Sequence, residues 1–197
     1  MAAAIRLACA DDAAQVQAIY APVVRDTAVS FEVDPPDVSE MGRRIRGTLT
    51  RLPWLACERD GEVLGFAYAA RHRERAAYRW SVDVSVYVDQ HARRAGVGRG
   101  LYVSLLALLA RQHFAAAHAG ITLPNTASVG LHQALGFVPV GVYRAVGFKL
   151  GAWWDVGWWQ RRLGEPAVPP APLVDLPDLP EEAARKALAA GVPLLET

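Results

Sequence analysis

Residues 86–112, VYVDQHARRAGVGRGLYVSLLALLARQ, limit the fold more than any other stretch of the chain. A strand-like run, VSVYV, breaks at a turn that holds Gly96 and Gly98 among Arg93, Arg94 and Arg99, and a long apolar helix-like run follows at once. A strand feeding through a turn into a helix is a building unit of an α/β fold. Residues without Cβ let the backbone take positive φ and approach a ligand closely. The amides that open the helix have no partner within it. With the helix dipole they make an anion site suited to phosphate or pyrophosphate. A bare Gly-x-Gly also serves loops that need only flexibility, so the surrounding sequence has to decide. The pattern is not a Walker loop, which needs Lys-Ser/Thr after its glycines, and it lacks the third glycine of a dinucleotide fingerprint.

Strand-like alternation or apolar runs lie at 5–8, 54–60, 62–70, 79–88, 117–123, 138–146 and 155–163, and helix-like segments at 11–25, 38–51, 98–112 and 126–135. Asp60-Gly61 signals a hairpin between the second and third strands, and Gly151 punctuates the last two. Strands broken by helices, with an antiparallel first half, predict a mixed α/β sheet. From Gly164 the composition changes: GEPAVPPAPLVDLPDLP should run extended as a linker or strap. It leads to PEEAARKALAAG, a short helix with Pro180 suited to its first position, Glu181 and Glu182 to its dipole, and Gly191 to its stop. Two parts are therefore expected, a domain over 1–163 and a Pro-rich tail over 164–197.

At 197 residues and 52% hydrophobic content the chain can bury a full core. Its apolar runs fall short of the ~18 to 20 uncharged residues of a membrane span. The amino end, MAAAIRLACADDAAQ, meets acidic residues instead of a signal-peptide core, so a cytoplasmic protein is expected. Cys9 and Cys57 have no metal-ligand spacing and read as buried structural thiols, with neither metal nor disulfide. Residues 1–163 carry 19 basic against 14 acidic side chains, and 164–197 carry 2 against 6. That balance is too weak for a nucleic-acid footprint and suits an anionic small molecule. The tail is both acidic and rich in Leu and Val, which predicts that it lies across the other subunit of a homodimer.

The loop Arg93-x-x-Gly96-x-Gly98 and the later stretch LPNTASVGLHQALGF resemble, in order and separation, the two signatures of the GNAT superfamily of N-acetyltransferases. PWLACERDGEVLGFAYA, AYRWSVDVSVYV, GFKLGAWWDVGWWQ and SFE are similar to one subfamily, the phosphinothricin and methionine sulfoximine/sulfone acetyltransferases, and the likeness covers residues 5–163. It implies the GNAT fold, a mixed central sheet of roughly seven strands flanked by roughly four helices, here with a C-terminal extension. It also implies acetyl-CoA as co-substrate, its pyrophosphate being the anion of the glycine turn.

The resemblance assigns roles to residues that composition leaves open. It implies that the backbone of Val86, Tyr87 and Val88 holds the acetyl carbonyl and the pantetheine arm, and that Arg94, Ala95, Gly96, Val97, Gly98 and Arg99 hold the pyrophosphate. The arginines could equally form a solvated rim. Asn125, Ser128 and His132 share one helix face that should border the cofactor, although Asn125 is also a natural N-cap and His132 could be core packing. In that position the wider family often has a Tyr that protonates the departing thiolate. Asp83 stands where the family has the Glu that takes the amine's proton, one methylene shorter, which favours a bridging water. A carboxylate among apolar neighbours could instead be paired with Arg75 or Arg79. Arg75 and Tyr78 match the subfamily's Arg-x-x-Tyr for an amino-acid substrate, and Phe31 and the Trp-rich segment 153–159 either close the pocket or belong to core or dimer contacts.

The expected activity is acetylation of the α-amine of a small amino acid analogue (phosphinothricin, methionine sulfoximine or sulfone) by direct attack in a ternary complex, since neither cysteine lies where an acyl-enzyme would form. Its rivals are acetylation of a protein or peptide amino terminus and an acyl-CoA-binding module without turnover.

Overall fold

Two tight turns set the register of the sheet. Asp60 and Gly61 both have positive φ, 52° and 81°, and so do Leu150 and Gly151, 51° and 76°. Two consecutive residues of this kind make the turn whose twist matches that of paired strands. In this computed structural model, which describes residues 3–165 and 167–196, the turns join β2 (Trp54–Arg59) to β3 (Glu62–Arg71) and β6 (Val138–Lys149) to β7 (Ala152–Arg162). With β1 (Ala4–Leu7), β4 (Ser81–Val88) and β5 (Ala116–Leu123) they form one seven-stranded sheet of order β1-β2-β3-β4-β5-β7-β6. Only β4 and β5 pair in parallel. The mixed sheet with an antiparallel first half is as the sequence predicts. β6 and β7 run further toward their turn than the expected 138–146 and 155–163, because Lys149 pairs with Ala152 and Phe148 packs on Trp153 at 5.3 Å.

The expected helices appear as α1 (Ala13–Asp26), α2 (Val38–Leu49), α3 (Val97–Arg111) and α4 (Thr126–Ala134), and the tail adds α5 (Glu181–Ala189). Side-chain alternation divides the core between the two faces of the sheet. On β2, Leu55 and Cys57 join the cluster built with α3, while Trp54 and Ala56 join Val16, Tyr20, Met41 and Ile45 of α1 and α2. Leu101, Leu105, Leu108 and Leu109 give α3 its buried stripe. Cys57 is buried as expected, but Cys9 is exposed, a correction: it sits at the bend where β1 gives way to α1. Among the described residues no helix is long and apolar enough to cross a membrane, and no group of three or more His, Cys, Asp or Glu is placed to hold a metal ion.

The tail departs from its expected partner: it closes on its own chain. Trp80 Nε1 donates to Ala171 O at 2.9 Å, Gln112 Nε2 to Val174 O at 2.9 Å, and Ser104 Oγ to Leu188 O at 2.7 Å. Leu176, Leu179 and Ala187 enter the α3 cluster. Pro180 caps α5 from outside instead of occupying its first turn. Gly191 has an ordinary φ of −90°, so a left-handed stop is not why it is glycine. A Cβ there would overlap the Gly100 carbonyl of α3, and one on Gly96 would overlap the Leu194 carbonyl. The tail thus lies against the back of the glycine turn.

Candidate active site

β4 and β5 pair only from Ser81↔Ala116 to Asp83↔His118, although both strands continue well past that point. Beyond Asp83 they part and leave one backbone edge of each unpaired. The opening is a crevice walled by Val84, Ser85, Val86 and Tyr87 on β4, by Gly120 and Thr122 on β5, and by Asn125, Ser128 and His132 at the start and inner face of α4. Unpaired strand edges are binding surfaces for an extended ligand, which can add its own hydrogen bonds to the ladder. Val88 stands at the far end of the same open edge, next to the glycine turn.

Gly96 caps α3 in the left-handed conformation at φ 73° and offers no side chain to the first turn. The helix's backbone bonding begins with Gly100 N–H on Gly96 O at 2.8 Å. The amides of Val97, Gly98 and Arg99 therefore meet no acceptor among the described residues, which is the arrangement an anion requires. The two glycines do different jobs. Gly96 turns the chain and touches the tail, while a Cβ on Gly98 would point between Val88 and Leu131 toward the crevice. Arg94 also holds a positive φ, 68°, and Ala95 accepts a hydrogen bond from the Glu196 amide at 3.2 Å.

Asn125 is the N-cap of α4, its Oδ1 accepting from Ser128 N at 3.1 Å, so one expected reading of this residue holds while its position also places it on the crevice wall. His132 is buried, and both its nitrogens are engaged: Nδ1 donates to Ser128 O at 2.7 Å and Nε2 lies 3.1 Å from the Tyr102 hydroxyl. Burial lowers its pKa, so it is a neutral imidazole near pH 7. The Tyr102 hydroxyl, held far above its usual pKa by burial, lies 3.3 Å from Val84 O at the point where β4 leaves β5.

The face of the sheet toward α1 and α2 carries Asp83. Neither Arg75 nor Arg79 pairs with it, as the sequence allows; its Oδ1 lies 2.6 Å from Nδ1 of His72. Burial raises the pKa of Asp83, and the bond and charge of His72 work against that rise. His72 stacks on His118, rings 4.3 Å apart, and the pKa of His118 is lowered to about 4, first by burial and then by the charges of His72 and Arg73. Of the four loop arginines, Arg71 pairs with Glu74, Arg73 lies over Trp158 and Arg79 over Trp80. Arg75 meets no carboxylate among the described residues and stays exposed beside exposed Tyr78, whose ring faces His72 edge-on.

Phe31 belongs to a loop pinned at both sides: Glu32 accepts from Tyr20 and Arg44 at 2.8 Å each, and buried Lys149 donates to Val24 O and Ser30 O at 2.6 Å each. Its ring fills the space above Gly147, where a Cβ would overlap it.

The parted β4–β5 pair, the glycine turn with its free amides and the half-buried Asp83 carboxylate all belong to β4 or the turn that follows it. The family model described as an acetyltransferase (GNAT) domain matches residues 5–158. The chain belongs to the GNAT acetyltransferases. This acetyltransferase is 41% identical to the phosphinothricin N-acetyltransferase of Streptomyces viridochromogenes over 86% of its own length and 92% of that protein's. It is 33% identical to the L-methionine sulfoximine/L-methionine sulfone acetyltransferase of Salmonella typhimurium over 85% and 98%. The crystal structure of a phosphinothricin acetyltransferase from Sinorhizobium meliloti in complex with AcCoA superposes with a TM-score of 0.82, at 34% identity over 90% of this chain and 97% of that one. Sequence reading of the acetyltransferase overlooked His72, His118 and Tyr102. Their only signal is that two are histidines on or beside predicted strands, and the sheet register is needed to bring them to Asp83 and the crevice.

Proposed function

We propose that this enzyme transfers the acetyl group of acetyl-CoA to the α-amine of a small amino acid analogue, with phosphinothricin, methionine sulfoximine and methionine sulfone as the preferred acceptors. The observation that carries the reading is the crevice that opens where β4 and β5 part, with Asp83 at the last paired position on one side of it and the glycine turn following the other end of β4. The residues fit acetyl-CoA. The free amides of Val97, Gly98 and Arg99, with Arg94 and the backbone of Ala95, suit a pyrophosphate, and the open edge at Val86, Tyr87 and Val88 suits the pantetheine arm and the acetyl carbonyl. Bound there, acetyl-CoA supplies an activated thioester. Asn125 and Ser128 border the arm.

On the acceptor side Arg75 and Tyr78 recognise the carboxylate or the phosphinate of the substrate, and Phe31 closes the apolar wall. Asp83 takes the proton of the ammonium, directly or through water, because the α-amine has a pKa of about 8 and must be deprotonated to attack. His132 is neutral with its one N–H on Ser128 O, so the O–H that its Nε2 faces, that of Tyr102, is the hydrogen-bond donor beside the departing thiolate, and His132 orients it. Cys57 is buried away from the crevice with its thiol pushed up to about 11, which supports direct attack over an acyl-enzyme. We place the enzyme in the cytoplasm as a homodimer. β6 is an edge strand with Val138, Val140 and Phe148 at least 60% exposed, a surface of the kind a second copy covers.

Free-CoA release with the three analogues and ordinary amino acids side by side tests the activity. At least one analogue is expected to surpass every ordinary amino acid in kcat/KM, and acetyl-CoA binding without thiol release across the panel would sink the reading. Gly98→Trp tests the cofactor path: the indole would enter the space between Val88 and Leu131 and is expected to weaken acetyl-CoA binding at least tenfold, about 1.4 kcal/mol. Unchanged affinity in a folded variant would remove the turn from the cofactor site.

A further inference from the structure

Asp83 is not the solitary carboxylate that its apolar strand suggests. Its 2.6 Å contact with Nδ1 of His72 requires a proton between the two atoms. The histidine side chain is the less exposed of the two, 12% against 30%, so the carboxylate stands in front and the imidazole behind. Oδ2 of Asp83 takes no hydrogen bond from the described residues. The imidazole itself is held on three sides. His118 stacks on it at 15° between ring planes, and Trp158 and Tyr78 each meet it edge-on with centroids 6.0 Å away. The titratable and charged groups around the pair are His118 from β5, Tyr68 from β3, whose hydroxyl feels the charge of Asp83, Tyr78 from the 3-10 turn after β3, and Arg73 from the same loop, which is drawn over Trp158 at 5.5 Å. Neutral His118 adds no competing charge to the stack.

Resting on the acetyl-transfer reading, we propose that His72 is a positioning residue for that reaction: by donating Nδ1–H to Oδ1 of Asp83 it fixes the rotamer of the carboxylate and leaves Oδ2 aimed at the acceptor amine. The balance is simple. The amine N–H bond breaks and an O–H bond forms on Oδ2. The freed nitrogen lone pair bonds the acetyl carbon, the C–S bond breaks with its electron pair going to sulfur, and the second proton that nitrogen loses as the amide forms goes to that sulfur to give the free thiol. His72 keeps its own proton throughout, and Oδ2 returns its proton to water. A carboxylate on so short a side chain reaches its target only from one rotamer, and a misplacement of about 1 Å costs on the order of 10²-fold in rate. The clamp removes that loss.

Two variants and two measurements test the proposal. His72→Phe keeps a ring in the stack and deletes the donor; His72→Asn restores an N–H donor near the place of Nδ1 without the ring. In His72→Phe, kcat is expected to fall about 10- to 100-fold, a part of what a positioned base contributes, with KM for acetyl-CoA unchanged. The acidic limb of the kcat–pH profile should move to higher pH, since His72 lowers the pKa of Asp83 and its loss lets burial act unopposed. His72→Asn should recover most of the rate. Carbon NMR titration of the Asp83 carboxyl group, which needs no acceptor, should show the same upward shift in His72→Phe. An unshifted carboxyl, an undiminished kcat in His72→Phe, or an asparagine variant no better than phenylalanine overturns the proposal. A shifted carboxyl in a protein that acetylates no amine upholds the clamp and overturns only the acceptor reading.

Discussion

Asp83→Asn is expected to lower kcat by ~10²- to 10⁴-fold, the usual contribution of a positioned general base, while leaving acetyl-CoA affinity in place. Asparagine keeps the size of the side chain and still accepts from His72, but it cannot take a proton. Because burial raises the pKa of Asp83, the folded protein binds that proton more tightly than the unfolded chain does. The charged carboxylate then costs the fold stability as pH rises through its folded pKa, and the bond to His72 offsets part of that cost. A neutral amide removes the cost, so the melting temperature of Asp83→Asn at pH 8 is expected to be no lower than that of the parent. Activity runs the other way: in the parent, rate is lost as pH falls through the pKa of Asp83, because only the anion accepts. Stopped turnover with intact melting and intact acetyl-CoA binding separates a base from a structural carboxylate. Normal turnover at neutral pH would show that the proton leaves by another route.

The order of strands and helices could be read along the chain because each element carries its own signal. Alternation marks β2 and β3, Asp60-Gly61 marks their turn, and a leucine stripe marks α3. The glycine turn is equally local, since a strand, a left-handed Gly96 and a helix start adjoin in sequence. The parting of β4 from β5 is not local. It depends on where a parallel pairing between residues more than thirty apart stops, and only the family resemblance pointed to it. His72 is a stronger case. Within RHRER it looks like one more polar residue of a charged loop, and it becomes a partner of Asp83 because the antiparallel register sets Ala70 opposite Asp83 and brings the next residue on that face alongside. His118 arrives from a different strand again. Gly191 reads as a helix stop, whereas it is glycine because α3 passes too close for a Cβ.

Deleting residues 164–197 is expected to lower the melting temperature by about 10 °C and to leave the oligomeric mass unchanged. The tail contributes Leu176 and Leu179 to the core, each less than a tenth exposed, and burial of such side chains is worth roughly 2 kcal/mol apiece. Its proline-set backbone had little freedom to lose, so less of that gain is cancelled by ordering than for an ordinary linker. Gln112, fully buried, loses the Val174 carbonyl and keeps only that of Arg51 at 2.7 Å. A net loss of about 4 kcal/mol corresponds to roughly 8 to 16 °C in a chain of this size. The same deletion strips the back of the anion turn, where Leu194 lies against Gly96 and Glu196 is held by Ala95 and by Arg59 at 2.9 Å. Acetyl-CoA binding should therefore weaken in the truncated protein even though no tail residue lines the crevice. Gly191→Val provides the point-mutant version, because a side chain there must push α5 off α3. The strap is disproved if the melting temperature holds and protease removes the tail from the intact protein at once, and a fall in mass on truncation would return the tail to a partner subunit.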